Sequence, residues 1–279
     1  MEDAIGHYFG YQKPMRPREN KKEWCFMINN VDFYYFSPTG GTKKAGAALA
    51  LGLAKTVNEI DLAEKIVYTP SSDVVVVAVP VFAGRIPTIV VEKLAQLDGA
   101  GKKAITAVVY GVRAYEDALM ELNDAMKNSG FDVVASAALI AQHSMVPAVG
   151  AGRPDQADVA EIQEFARGVL NAIEEGRTNA VIVPGNYPYK EGMKVSATPI
   201  SLSSCGGCGY CVSVCPMDAI MVSDGCVVTD IKKCILCLTC TAKCPTKSRV
   251  LPTPLQEGIT QKLSPFKDVY RKNEFYISY

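Results

Sequence analysis

Residues 31–50 read VDFYYFSPTGGTKKAGAALA. The first six are an apolar and aromatic run of strand length with Asp32 as its one polar member, the next six are small and hydroxyl residues, and Lys43 opens a stretch of helical composition. An apolar strand that runs directly into a helix is the first half of a βαβ unit and predicts a parallel sheet. The loop between them, Ser37, Pro38, Thr39, Gly40, Gly41 and Thr42, has the chemistry of an anion site. Its glycines let backbone N–H groups converge, its hydroxyls add donors, and a helix N-terminus favours negative charge. Taken alone, the same residues also suit an ordinary capped turn. They lack the lysine of a GxxxxGK[ST] loop and the spacing of a GxGxxG turn.

The alternation continues to about residue 176. Apolar runs at 74–79, 104–110 and 133–141, with a weaker one near 65–68, read as further strands, and 43–55, 86–97, 115–129 and 155–175 read as helices. Gly130 and Gly176 suit helix C-caps, and Pro154 followed by Asp155 marks a helix start. The prediction for 31–176 is an α/β domain with a doubly wound, five-stranded parallel sheet, a fold that binds ligands at the carboxyl ends of its strands. Two more loops leave those ends. One holds Pro80, Val81, Phe82, Ala83, Gly84 and Arg85; the other holds Tyr110, Gly111, Arg113 and Tyr115. Residues 1–30, with Tyr8, Phe9, Tyr11 and Trp24, form an extension that fits no element. Residues 177–200 are rich in Pro and Gly and read as a linker, and 251–279 read as a tail of two short helices packing back.

Eight of the ten cysteines fall in two copies of one pattern within 201–250. Cys205, Cys208, Cys211 and Cys215-Pro216 are repeated as Cys234, Cys237, Cys240 and Cys244-Pro245, each C-x2-C-x2-C-x3-C-P. This is the ligand run of a [4Fe–4S] cluster, in which the fourth cysteine serves the other cluster. The expected quartets are therefore crossed: Cys205, Cys208, Cys211 and Cys244 for one cluster, Cys234, Cys237, Cys240 and Cys215 for the second. Structural zinc closes on two CxxC pairs and has no use for the third cysteine and the Cys-Pro. Cys25 and Cys226 lie outside the pattern and are expected to be buried apolar residues.

Charge divides along the same boundaries. Twenty-nine basic and 29 acidic residues cancel over the 279-residue chain. Yet 31–176 carry twelve basic against eighteen acidic residues, and 177–279 carry twelve against seven. An acidic middle and a basic, Cys-rich end suit two domains with different tasks. Zero net charge argues against nucleic acid, the absence of a long apolar run argues against a membrane span, and an acidic start without an apolar stretch leads us to expect a cytoplasmic protein.

The loop at 37–42 resembles the FMN-phosphate loop of flavodoxins, S/T-x-T-G-x-T, and follows the first strand as it does there. That resemblance implies FMN, with Ser37, Thr39, Gly40, Gly41 and Thr42 at its phosphate. Pro80, Val81, Phe82, Ala83 and Gly84, together with Tyr110, Gly111, Arg113 and Tyr115, would then grip the isoalloxazine. Phe82 and Tyr110 or Tyr115 would stack on its faces, and Arg85 and Arg113 would face its N1/O2 edge. His143, after the fifth strand, is expected to anchor its loop. Residues 201–250 resemble the bacterial two-cluster ferredoxins, a small α+β domain, including Asp218-Ala219-Ile220 after the first Cys-Pro. Leu236 and Leu238 depart from that pattern, where such ferredoxins often carry Gly. Across 31–250 the chain resembles the flavodoxin and ferredoxin fusion proteins of anaerobic bacteria, sometimes called ferrodoxins. The resemblance implies electron transfer between two [4Fe–4S] clusters, FMN and a redox partner protein. Its alternative is an FMN-dependent reductase of a small oxidant, a quinone or nitro compound, fed by its own clusters. A homo-oligomer is expected only if flavin and cluster lie too far apart within one chain.

Overall fold

The structure, a computed structural model, describes residues 27–66, 69–223 and 225–278. The run that opens the fold forms β1 (Ile28–Tyr35). Its side chains alternate between two cores, Val31, Phe33 and Tyr35 entering one and Tyr34 and Phe36 the other, which is why the run is apolar throughout except at Asp32. Asp32 is buried, and its carboxylate accepts from the N–H groups of Ser71 (2.6 Å) and Ser72 (2.8 Å) and from Asn58 (2.8 Å). Burial opposes its ionisation, but those donors outweigh it and hold the carboxyl below its ordinary value. Then follow α1 (Gly41–Leu53), β2 (Ala54–Asp61), β3 (Val74–Pro80), α2 (Thr88–Leu94), β4 (Lys103–Tyr110), α3 (Ala118–Asn128), β5 (Asp132–Ile140) and α4 (Gln156–Glu174). The C-terminal part holds β6 (Ile200–Ser201), α5 (Tyr210–Ser213), β7 (Ile220–Ser223), β8 (Cys226–Thr229), α6 (Thr239–Ala242), β9 (Arg249–Val250), α7 (Thr253–Leu263) and β10 (Glu274–Ile277).

The main sheet runs β10-β5-β4-β3-β1-β2. Strands β1 to β5 are parallel in the 2-1-3-4-5 order of the flavodoxin-like doubly wound fold, and β10 is antiparallel to β5. Leu49 and Leu53 of α1 meet Phe165, Ala166 and Val169 of α4 on one face, while Val90 and Leu94 of α2 and Leu119, Leu122 and Met126 of α3 cover the other. Each fully buried side chain of this size contributes roughly 1.5–3 kcal/mol. A small ferredoxin-like segment follows, in which β6 pairs with β9 and β7 with β8.

Three expectations need correction. The second strand is 54–61, following α1 without a loop, rather than 65–68, where 65 and 66 belong to a loop and 67 and 68 lie outside the described residues. The sequence of β2, AKTVNEID, hides it because an edge strand paired only with β1 leaves Lys55, Thr56, Asn58 and Glu59 in water, so it carries no apolar run. The tail is one helix, a 3-10 turn (Ser264–Phe266) and a sixth strand instead of two helices. Cys226 is exposed rather than buried. The aromatic residues of the N-terminal extension and Cys25 lie outside the described residues.

The linker is a fastened strap. Asp117, before α3, accepts from the backbone N–H of Asn186 (3.0 Å) and of Lys190 (2.8 Å), and Tyr187 and Tyr189 donate to Asp124. Arg85 clamps Glu121 through two hydrogen bonds (2.7 and 2.6 Å) and donates to the Lys190 carbonyl (2.7 Å).

Candidate functional site

At the carboxyl ends of β1, β3, β4 and β5 lies a cleft of about 390 Å³. Thr39, Gly41 and Thr42 form its floor at the N-terminus of α1, whose first turn carries no acidic residue. Pro80, Val81, Phe82 and Ala83 line it after β3, and Tyr110 and Gly111 after β4. The loop after β5 adds Gln142, His143, Ser144 and Met145. Its roof comes from segments that look inert in sequence: Met193, Lys194 and Ser196 of the strap, Leu255, Ile259, Lys262 and Leu263 of α7, and Leu236 and Cys237 of the second cysteine motif. Strap and tail carry no motif, so composition alone offers no signal for them.

The floor is held by short local bonds. The Ser37 hydroxyl accepts from the N–H of Lys43 (2.9 Å), so Ser37 braces the loop and does not line the cleft. Gly111 lies so close to His143 that a Cβ would come within 2.6 Å of the His143 Cβ. The His143 Nδ1 accepts from the N–H groups of Met145 and Val146 (both 3.2 Å), which anchors the loop and leaves the proton on Nε2. Burial pushes its pKa down, so the ring stays neutral.

Five of the other expected contacts are used differently. Gly40 lies outside the cleft lining, although its left-handed φ of 93° turns the chain into α1. Gly84 accepts from the N–H of Asp117 (3.1 Å), and a Cβ there would collide with Glu116. Arg113 pairs with Glu116 (2.9 Å) instead of facing the cleft, as Arg85 pairs with Glu121. Tyr115 lies behind Tyr110 and donates to Glu274 (2.6 Å); its burial, together with the hydrogen bonds to Glu274 and Tyr276, keeps its hydroxyl protonated.

Two hollows bring the cysteines together. Cys205, Cys208, Cys211 and Cys244 border one, and Cys215, Cys234, Cys237 and Cys240 the other. The fourth cysteine of each run thus reaches across to the partner motif. Among the described residues no three His, Cys, Asp or Glu side chains stand where one ion would hold them. The sulfurs receive donors: the Ala219 N–H reaches Cys215 (3.4 Å) and the Leu236 N–H reaches Cys234 (3.4 Å). Burial pushes the Cys240 thiol up to about 11. At Cys244 burial is outweighed by donors from Thr246, Ser248 and Arg249, which bring the thiol down to about 7.

The donor set fits the groups that the sequence implies. Of the described residues lining the cleft none is acidic and two are lysines, which with a helix N-terminus suits a phosphate; Phe82 and Tyr110 offer aromatic surface for a planar ring. The volume lies within the usual range for cofactor sites. Sulfur quartets with N–H donors suit iron–sulfur clusters. No described helix is long and apolar enough to cross a membrane.

Residues 198–221 match the family model of the 4Fe-4S binding domain. A search of the curated proteins returns no match to the chain. Among solved structures, a Streptococcus pneumonia TIGR4 flavodoxin is 17% identical over 52% of this chain and 99% of its own, with a TM-score of 0.36. The Fusobacterium nucleatum flavodoxin bound to flavin mononucleotide is 11% identical over 53% and 99%, with a TM-score of 0.37. An azoreductase from Bacillus anthracis is 13% identical over 52% and 99%, with a TM-score of 0.34. The chain therefore joins a flavodoxin-like α/β sheet, identified by its own strand order, to a segment similar to 4Fe-4S ferredoxin domains.

Proposed function

We propose that the chain is an electron-transfer protein that holds two [4Fe–4S] clusters in its cysteine hollows and FMN in the adjoining cleft, and exchanges electrons with a redox partner protein. The observation that carries this reading is a shared wall: Leu236 and Cys237 border the second hollow on one side and the cleft on the other. Bound there, the clusters would supply single electrons and FMN one or two, a conversion between one-electron and two-electron carriers. Thr39, Gly41, Thr42 and the start of α1 would hold the phosphate, while Phe82 and Tyr110 would border the ring. Lys194 and Lys262 bring positive charge to the roof, and the apolar part of that roof excludes bulk water. Because one chain supplies both sides of the wall, no neighbouring copy is needed. The other hollow has the exposed Cys208 at its rim with the half-exposed Tyr210 beside it, a face on which a partner protein can dock.

The roof favours one further reading, an FMN-dependent reductase of a small oxidant such as a quinone or nitro compound, since a pure carrier gains nothing from covering its flavin. Purified anaerobically, the chain should carry about eight irons and one FMN. Zinc in place of iron overturns the proposal. Changing Thr39 and Thr42 together to Ala should weaken FMN binding by roughly tenfold or more, since two hydrogen bonds to a charged group are lost, and leave iron content intact. Saturable turnover with one small oxidant, and none with proteins, would select the reductase.

A further inference from the structure

The two cysteine motifs are related as an internal repeat, and one of the positions at which they differ is buried in both halves. Five residues beyond the last cysteine of each run stand Ile220 and Arg249, both at the start of a short strand and both buried, at 5% and 3% exposure. One half thus buries an arginine where the other buries an apolar side chain. Its Nη1 donates to the Ser201 hydroxyl (3.0 Å) and its Nη2 to the Thr229 hydroxyl (2.7 Å), but its Nε has no partner. None of the ion pairs among the described residues includes it. Neutral hydroxyls do not offset the cost of burying a guanidinium; an anion does.

The surroundings identify that anion. Arg249 itself lines the hollow of Cys205, Cys208, Cys211 and Cys244, and Thr229, to which it bonds, lines the hollow of Cys215, Cys234, Cys237 and Cys240.

We propose that Arg249 is a shared counter-charge, a permanent cation between the two iron–sulfur sites that raises the reduction potential of both. This rests on the two-cluster reading. Each cluster with its thiolates is anionic and gains one further negative charge with each electron it takes up, so a fixed cation nearby favours the reduced form. Arginine suits the place because it stays protonated when buried.

The test is a redox titration of the anaerobically purified chain, followed by the EPR signals of the reduced clusters, for wild type, Arg249→Ile and Arg249→Lys. Arg249→Ile copies the other half of the repeat. It should keep its iron and move both potentials to more negative values, while Arg249→Lys stays closer to wild type. Should Arg249→Ile lose iron, loading of Arg249→Lys still supports a counter-charge, and equal loss in both variants overturns it. Unchanged potentials in an iron-loaded Arg249→Ile, or equal shifts in both variants, also overturn it. A wild type with zinc or four irons instead refutes the two-cluster reading on which the inference stands.

Discussion

Leu236 and Leu238 stand where the first cysteine motif has Gly207 and Gly209, and all four take left-handed backbone, with φ of 53°, 67°, 67° and 74°. The turn around the cysteines demands that conformation, and a leucine adopts it at a cost of about 1–2 kcal/mol. Both leucines are buried, and Leu236 forms part of the wall between cleft and hollow. Replacing Leu236 with Gly should lower folding stability by about 1–3 kcal/mol, because relief of strain offsets only part of the lost packing and added chain entropy. Water admitted through the thinner wall would favour the more anionic reduced state, so the potential of the adjacent cluster should rise. EPR-monitored titration and urea unfolding measure the two effects, and an unchanged potential would show that the leucine does not keep the site dry. The cysteine quartets are legible in sequence because spacing along the chain fixes which sulfurs meet. Arg113 and Tyr115 are not, because Val112 and Glu116 also take left-handed φ, 65° and 48°, and turn their neighbours out of the direction an extended loop would give them.

At the level of elements, chemistry sits on β1, β3, β4 and β5, whose apolar runs announce them, and is closed over by elements that announce nothing. Strand β10 is four residues long and carries only Phe275, Tyr276 and Ile277 as apolar signal, so a sequence reading takes it for part of a helical tail. Its neighbour Asn273 explains how it is held. The Asn273 side chain accepts from the N–H of Ile140 (2.9 Å) and donates to Asp158 and Glu161 (both 2.9 Å), tying the tail to the end of β5 and to α4. That position is buried, so Asn273→Ala leaves an N–H without a partner and should cost about 1–3 kcal/mol. Denaturant unfolding of the iron-loaded protein reads this directly. If stability were unchanged, the tail would be an appendage rather than part of the sheet, and α7 would be a weak roof for the cleft.

Over the whole molecule the two modules share a core. Met217, Ile235 and Cys237 pack against the same cluster as Val79, Tyr110 and Leu263, whereas Cys211, Ile220 and Cys240 form a small core of their own. Ile235 and Cys237 of the second motif, with Met217 beside the first Cys-Pro, are thus packed against the core of the flavodoxin-like sheet, while Cys240 joins Cys211 in the small core. An asymmetry follows. Emptying the cleft should leave the cysteines in place, since the cleft loops are fastened to their own neighbours through His143, Asp117 and the strap. Removing iron should unfasten both cysteine motifs, because each fourth cysteine crosses to the other run, and with them the Leu236 and Cys237 wall of the cleft. An iron chelator added anaerobically should therefore release FMN in step with iron, visible as a rise in flavin fluorescence, with affinity falling tenfold or more, about 1.4 kcal/mol. Dialysis that strips FMN should leave the iron count unchanged. A chain freed of iron that still held one FMN at its original affinity would mean that the cleft is complete without the second motif, and that the shared wall is a contact rather than a part of the site.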